Sequence, residues 1–171
     1  SDVITIGGTM YLHVIVNGPS FGQVRRTEIW KSTDSGENWS HTGVTFDGTQ
    51  DGGRFQLITW ALGPDDYVYI YATGFQRDKG IVLYRVPSTN MTTLSAYQPW
   101  GFANGSWGWG KPVTEVLSGG FGEMCLRPLG GKWILTWFNA PAYRIDAMVL
   151  NTPTDNLYTA TKTTLLYGSE W

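Results

Sequence analysis

A strand-and-turn unit that occurs three times in 171 residues limits this chain to a repetitive antiparallel β fold. In the first unit Val3 to Ile6 turns at Gly7-Gly8 into Thr9 to Val16, where Met10, Leu12 and Val14 alternate with Tyr11, His13 and Ile15, and Thr27 to Ser32 follows. In the second, Phe55 to Trp60 turns at Gly63-Pro64-Asp65-Asp66 into Tyr67 to Tyr71, and Gly80 to Val86 follows. In the third, Gly122 to Arg127 turns at Leu129-Gly130-Gly131 into Trp133 to Phe138, and Arg144 to Leu150 follows. Fourth strands are expected at His41 to Phe46, Ser95 to Trp100 and Tyr158 to Leu166. Each unit is a meander of antiparallel strands joined by tight turns.

The expectation is an all-β chain, a β-propeller of four-stranded antiparallel blades, with a single partial domain over 1–171 and blades at about 1–47, 53–101 and 120–168. A propeller closes with roughly four to eight blades, and three leave sheet edges open. Either further blades belong to a longer polypeptide, or another chain completes the ring. A β-sandwich also fits these strand counts.

Composition supports strands over helices. Charged residues make up only 15%, aromatic residues another 15%, and there are 22 glycines. A net charge of −2 without any Lys/Arg run argues against a nucleic-acid partner. The single Cys125 excludes an intrachain disulfide and a cysteine-built zinc site. No apolar run approaches the ~18 residues of a membrane-spanning helix, and Ser-Asp-Val carries no basic leader, so the reading is a soluble chain whose export signal would lie elsewhere.

Between the third and fourth strands of the first unit stands Ser32-Thr33-Asp34-Ser35-Gly36-Glu37-Asn38-Trp39, a Ser-x-Asp-x-Gly-x-x-Trp pattern. The Asp34 carboxylate accepts from nearby backbone N–H groups, Gly36 supplies a positive φ, and the Trp39 indole folds back over the turn. This segment resembles the Asp-box of sialidases and other carbohydrate-active propellers, where it is a fold staple. Ser32, Asp34, Gly36 and Trp39 are therefore read as structural.

Several stretches occur in a telling order: Asp2-Val3-Ile4-Thr5-Ile6-Gly7-Gly8, Trp30 to Trp39, Phe55-Gln56-Leu57-Ile58, Tyr67-Val68-Tyr69-Ile70-Tyr71, Val82-Leu83-Tyr84-Arg85-Val86-Pro87 and Gly122-Glu123-Met124-Cys125-Leu126. Together they resemble the secreted five-bladed propeller family that includes endo-D-arabinanases, glycoside hydrolases acting on cell-wall arabinan. The resemblance implies a glycan or polysaccharide partner, an extracellular, cell-envelope or phage-virion setting, and this chain as the C-terminal part of the family's fold. The family's amino-terminal portion, with an early carboxylate facing the channel, has no counterpart here. The competing reading is a non-catalytic glycan-binding or structural propeller of a phage tail or secreted adhesin.

Glycoside hydrolysis takes two carboxyl groups across the scissile bond. Glu123 is the leading catalytic candidate, because it opens an apolar strand behind Gly120, Phe121 and Gly122, where a ligand can approach closely. The alternative is a structural bond to an arginine such as Arg85. Asp47 and Asp51 lie in the Gly-rich loop Phe46 to Gly53 and read first as solvated turn acids, with a substrate contact or a weak calcium ligand as the functional alternative; the spacing does not follow an EF-hand, and no cofactor is otherwise expected. Arg54 and Gln56 flank Phe55 on an expected inner strand and would reach sugar hydroxyls. Trp107 and Trp109, in a Gly-rich connection from Gly101 to Gly110 that reads as too irregular for a strand, are candidate sugar platforms, or else cap the gap between two blades. Asp146 reads as the partner of Arg144.

Overall fold

The computed structural model of the protein describes residues 2–170. Among them thirteen strands form three antiparallel sheets, each laid out in sequence order. The first blade is β1 (Val3–Ile6), β2 (Thr9–Asn17), β3 (Val24–Ser32) and β4 (Ser40–Asp47). The second is β5 (Leu57–Leu62), β6 (Tyr67–Thr73), β7 (Val82–Pro87), β8 (Gln98–Ala103) and β9 (Ser106–Trp109). The third is β10 (Phe121–Leu129), β11 (Lys132–Asn139), β12 (Arg144–Leu150) and β13 (Lys162–Tyr167). The chain is all-β and forms three blades of a propeller.

Alternation along the strands explains how the blades stack. On β2 and β3 the side chains of Tyr11 and Ile29 face the second blade, where they join Val44, Phe46, Phe55, Ile58, Trp60, Ile70 and Tyr84 in one core. The opposite face of β6 and β7, with Tyr69, Tyr71 and Leu83, meets Leu126, Trp133, Leu135, Trp137 and Leu150 of the third blade in a second core. The middle blade is thus apolar on both faces, and its central strands read as nearly continuous buried runs.

First strands stand side by side at the centre. Thr59 Oγ1 on β5 donates to Asp2 Oδ2 at 3.1 Å, just ahead of β1, and accepts from the Leu126 N–H on β10 at 2.8 Å. One hydroxyl therefore ties three inner strands. The β2–β3 and β6–β7 loops meet at one end, where Gln76 Nε2 donates to Gly22 O at 3.0 Å. Gly120, leading into β10, packs against Arg77 at that same end, which is here called the mouth. The β5–β6 and β10–β11 turns share a cleft at the opposite end. Because β3 runs away from the mouth, the Ser32–Trp39 turn also lies at that opposite end.

Three local expectations are corrected. The second blade's inner strand begins at Leu57, so Arg54 and Gln56 precede it. The Gly101 to Gly110 stretch is a hairpin of β8 and β9, pairing Trp100 with Trp109 and Phe102 with Trp107. Its turn is Asn104-Gly105, both at positive φ (53° and 75°), the sequence signature of a two-residue hairpin loop. Tyr158 to Thr161 is not strand; Leu157 is drawn into the core between blades, which delays β13 to Lys162.

Candidate functional site

Glu123 occupies a bulge. Pairing of β10 with β11 shifts register between Phe121 and Met124, and within that bulge a Cβ on residue 122 would lie 2.9 Å from the Phe138 ring, which is why glycine stands there. The bulge turns the Glu123 side chain outward at the mouth, with 62% of it exposed. Its partner is Arg77 of the β6–β7 loop, whose Nη2 donates to Glu123 Oε1 at 2.5 Å. Arg85, the arginine considered from sequence, lies elsewhere, stacked 4.1 Å from the Tyr67 ring and 4.4 Å from the Trp109 ring. Partial burial raises the Glu123 carboxyl, but the Arg77 hydrogen bond and charge outweigh it and hold the group below the usual carboxylate range. Glu123 is an anion at neutral pH.

Arg77 itself has a positive φ of 60°, at the end of a turn closed by its N–H to Gly74 O. A non-glycine residue in the left-handed region is strained. The guanidinium is braced 5.6 Å over the Phe138 ring, so the loop presents it toward β10. The same loop carries Phe75 and Gln76 toward the first blade, where Phe21 meets Phe75 edge to face at 5.3 Å. Phe21 is 86% exposed at the tip of the β2–β3 loop. The β6–β7 loop therefore spans the mouth, with an exposed aromatic ring on one side and the Arg77–Glu123 pair on the other.

The remaining candidates are committed to other bonds. Arg54 Nε pairs with Glu115 Oε2 at 3.1 Å and its Nη1 donates to Asp51 O. Gln56 donates to Gly48 O at 2.7 Å and accepts from the Phe75 N–H at 2.9 Å, so it braces the loop that carries Arg77. Asp51, at a φ of 53°, accepts from Tyr84 OH at 2.6 Å. Asp146 is fully buried and accepts from Asn139 Nδ2 (2.7 Å) and Thr164 Oγ1 (2.9 Å), with Arg144 Nε at 2.9 Å. These bonds offset its burial and hold its carboxyl low.

Trp107 and Trp109 sit on β9, the outermost strand of the second blade. Four strand spacings of about 4.8 Å place β9 roughly 19 Å from β5. The structure therefore does not bring them to Glu123. Asp2 and Phe21 escaped the sequence reading. Asp2 immediately precedes a strand whose inner position only the stacking of blades reveals, and Phe21 stands alone in Gly18-Pro19-Ser20-Phe21-Gly22, where an apolar residue on a turn was the available signal. Arg77 gave none, since its contact is with a residue on another blade.

At the opposite end, Ser32 Oγ donates to Asp34 Oδ1 (2.7 Å) and accepts from Gly36 N–H (2.9 Å), while Asn38 N–H and Nδ2 donate to Asp34 at 3.0 and 2.7 Å. Trp39 Nε1 donates to Gly36 O at 2.9 Å. The Asn38 backbone bond, then the Ser32 hydroxyl and the Asn38 amide, pull the Asp34 carboxyl down to about 2. It holds its own turn. No cluster of three His, Cys, Asp or Glu side chains arranged to hold a metal ion, and no helix long and apolar enough to cross a membrane, is found among the described residues.

The profile of the family described as "Domain of unknown function (DUF4185)" matches residues 1–169. The "Uncharacterized 35.9 kDa protein in asd 3'region" of Mycolicibacterium smegmatis is 35% identical over 123 residues, covering 72% of this chain and 36% of that protein. "Notoamide biosynthesis cluster protein J'" of Aspergillus versicolor is 38% identical over 89 residues, covering 50% of this chain and 24% of that protein. The chain thus spans about a third or less of these relatives. Among solved structures, a putative hydrolase from Bacteroides ovatus superposes with a TM-score of 0.67 at 10% identity, over 97% of this chain and 44% of that one. An engineered GH43 glycoside hydrolase with endo-xylanase and exo-arabinofuranosidase activity superposes with a TM-score of 0.61 at 14% identity, over 97% of this chain and 28% of that one. These similarities show the fold.

Proposed function

Since the chain belongs to the DUF4185 family, we propose that it is a sector of a carbohydrate-active propeller hydrolase that cleaves glycosidic bonds in arabinan or a related polysaccharide at the mouth. The observation that carries this reading is the Arg77–Glu123 pair, an exposed carboxylate that a bulged inner strand and a strained loop residue hold in place. Glycoside hydrolases among the fold neighbours support it. Phe21 supplies an exposed ring against which the apolar face of a sugar packs.

Glu123 is anionic, so it takes the carboxylate half of a glycosidase pair: it attacks the anomeric carbon or draws a proton from water as the C–O bond breaks. The leaving oxygen takes its proton from a second carboxyl group contributed by the blades that complete the ring. The curated relatives, of which this chain spans about a third or less, are long enough to carry such blades. The Ser32–Trp39 turn acts as an Asp-box staple, and the protein works outside the cell or at its envelope.

The test is reducing-end release from arabinan by the full polypeptide that carries these residues, in parent and Glu123→Gln forms. A loss of about 100-fold or more is expected in the variant, given what one acid–base group contributes. Equal rates would remove Glu123 from the mechanism.

A further inference from the structure

The second blade departs from the four-stranded rule by carrying β9, and what that extra strand presents is aromatic. Trp107 is 43% exposed on β9 and lies near-parallel to Trp100, with 6.0 Å between rings and 15° between planes; Phe102, 49% exposed, meets Trp107 edge-on at 5.6 Å. Behind them Trp109 packs 4.8 Å from Trp100, and the Arg85 guanidinium lies between Trp109 and Tyr67, fixed by a 2.9 Å bond from its Nε to Gln98 Oε1. The Lys111 ammonium closes the hairpin on Ala103 O (3.1 Å), Ser106 O (2.9 Å) and Ser106 Oγ (2.6 Å). The rings are held rigidly, so a ligand settling on them orders little.

Trp100 and Trp107 form one wall of a cavity of about 390 Å³ whose other wall is the β12–β13 connection of the third blade, with Asp155, Asn156 and Tyr158. Asn156 uses its carbonyl to accept the Tyr158 N–H (3.0 Å), which leaves the amide to donate. Tyr158 OH accepts from the Ser118 N–H (3.1 Å), which leaves its proton to donate. Asp155 accepts from Asn151 N–H and from the Thr152 N–H and hydroxyl, and its oxygens retain acceptor capacity. A flat apolar wall facing two donors and an acceptor is complementary to a sugar ring, which has an apolar C–H face and a hydroxyl edge. The volume is at the small end of ligand sites, about 300 to 1,000 Å³, and suits one or two sugar units. The carboxylate of Asp155 disfavours acidic sugars.

We propose that this outer-rim cleft is a second, non-catalytic binding site for a neutral polysaccharide, with Trp107 as its platform. It anchors the glycan away from the mouth, and it stands whether or not the mouth is catalytic. The test is affinity electrophoresis of the full polypeptide, carrying Glu123→Gln to prevent turnover, in gels containing arabinan, xylan or galactan. Retardation in at least one gel is expected. Trp107→Ala should weaken it at least tenfold and Asn156→Ala in part, while Trp107→Phe should retain most of it and circular dichroism stays unchanged. Retardation in none of the three gels would overturn the proposal, as would retardation that Trp107→Ala leaves intact and Phe21→Ala abolishes. A Trp107→Ala protein that loses its native circular dichroism passes the decision to the Asn156 variant, where undiminished retardation counts against the site.

Discussion

Thr59 joins the three blades through one side chain, because its hydroxyl is both donor to Asp2 and acceptor for Leu126 N–H. Thr59→Val keeps shape and volume but strands a buried N–H. We expect a loss of about 1–3 kcal/mol, measured by urea unfolding, with Thr59→Ser close to the parent. Asp34 shows the opposite case, an exposed carboxylate that acts only on its own turn. Its folded pKa of about 2 lies below the ordinary value of roughly 3.9. Its contribution is therefore present above about pH 4 and lost as pH falls toward 2. Asp34→Asn should lower the urea midpoint at pH 7, with the difference from the parent closing as pH approaches 2. Arg77 is tested through a titration. Removing its charge with Arg77→Gln raises the Glu123 carboxyl, so the acid limb of kcat/KM against pH should move to higher pH. A limb that stays in place would mean that Arg77 does not set the ionisation of Glu123. The sequence announced Asp34 because all its partners lie within four residues. It could not announce Thr59 or Arg77, whose partners are 46 to 67 positions away.

Elements were legible where period and turn chemistry agreed. The alternation on β2 and the Gly-Gly turn at Gly130-Gly131 give the observed hairpins. The β8–β9 hairpin was hidden because Pro99, Gly101, Gly108 and four aromatic residues mask any alternation, although Asn104-Gly105 marks its turn. Gly101 is required by a close approach: a Cβ there would lie 1.8 Å from Pro112 O. Gly101→Ala must push the segment after β9 off the blade, and overpacking of this kind costs about 1–3 kcal/mol. Urea unfolding measures that cost, and tryptophan fluorescence should report the displaced Trp109. Arg54 and Gln56 looked like channel residues because Phe55 was assigned to the strand. In the fold Phe55 is the buried anchor of the loop, 4.1 Å from Phe46, and its neighbours brace that loop.

At the scale of the whole molecule two interfaces between blades are filled, and the terminal blades each keep an apolar outer face. Val3 on the first and Val149 and Leu165 on the third are 40%, 61% and 58% exposed. Exposed apolar faces of this kind are open to packing against further blades, in keeping with the three repeat units read in the sequence. The candidate catalytic centre is a property of this scale too, since Glu123 gains its partner only when the second and third blades dock. The most direct test is a crystal structure of the full polypeptide, as Glu123→Gln, soaked with an arabinan oligosaccharide. The account predicts a sugar unit at the mouth with its anomeric carbon beside residue 123, Arg77 displaced, and a ring against Phe21. Sugar bound only at the outer rim, with the mouth closed by Arg77, would contradict it.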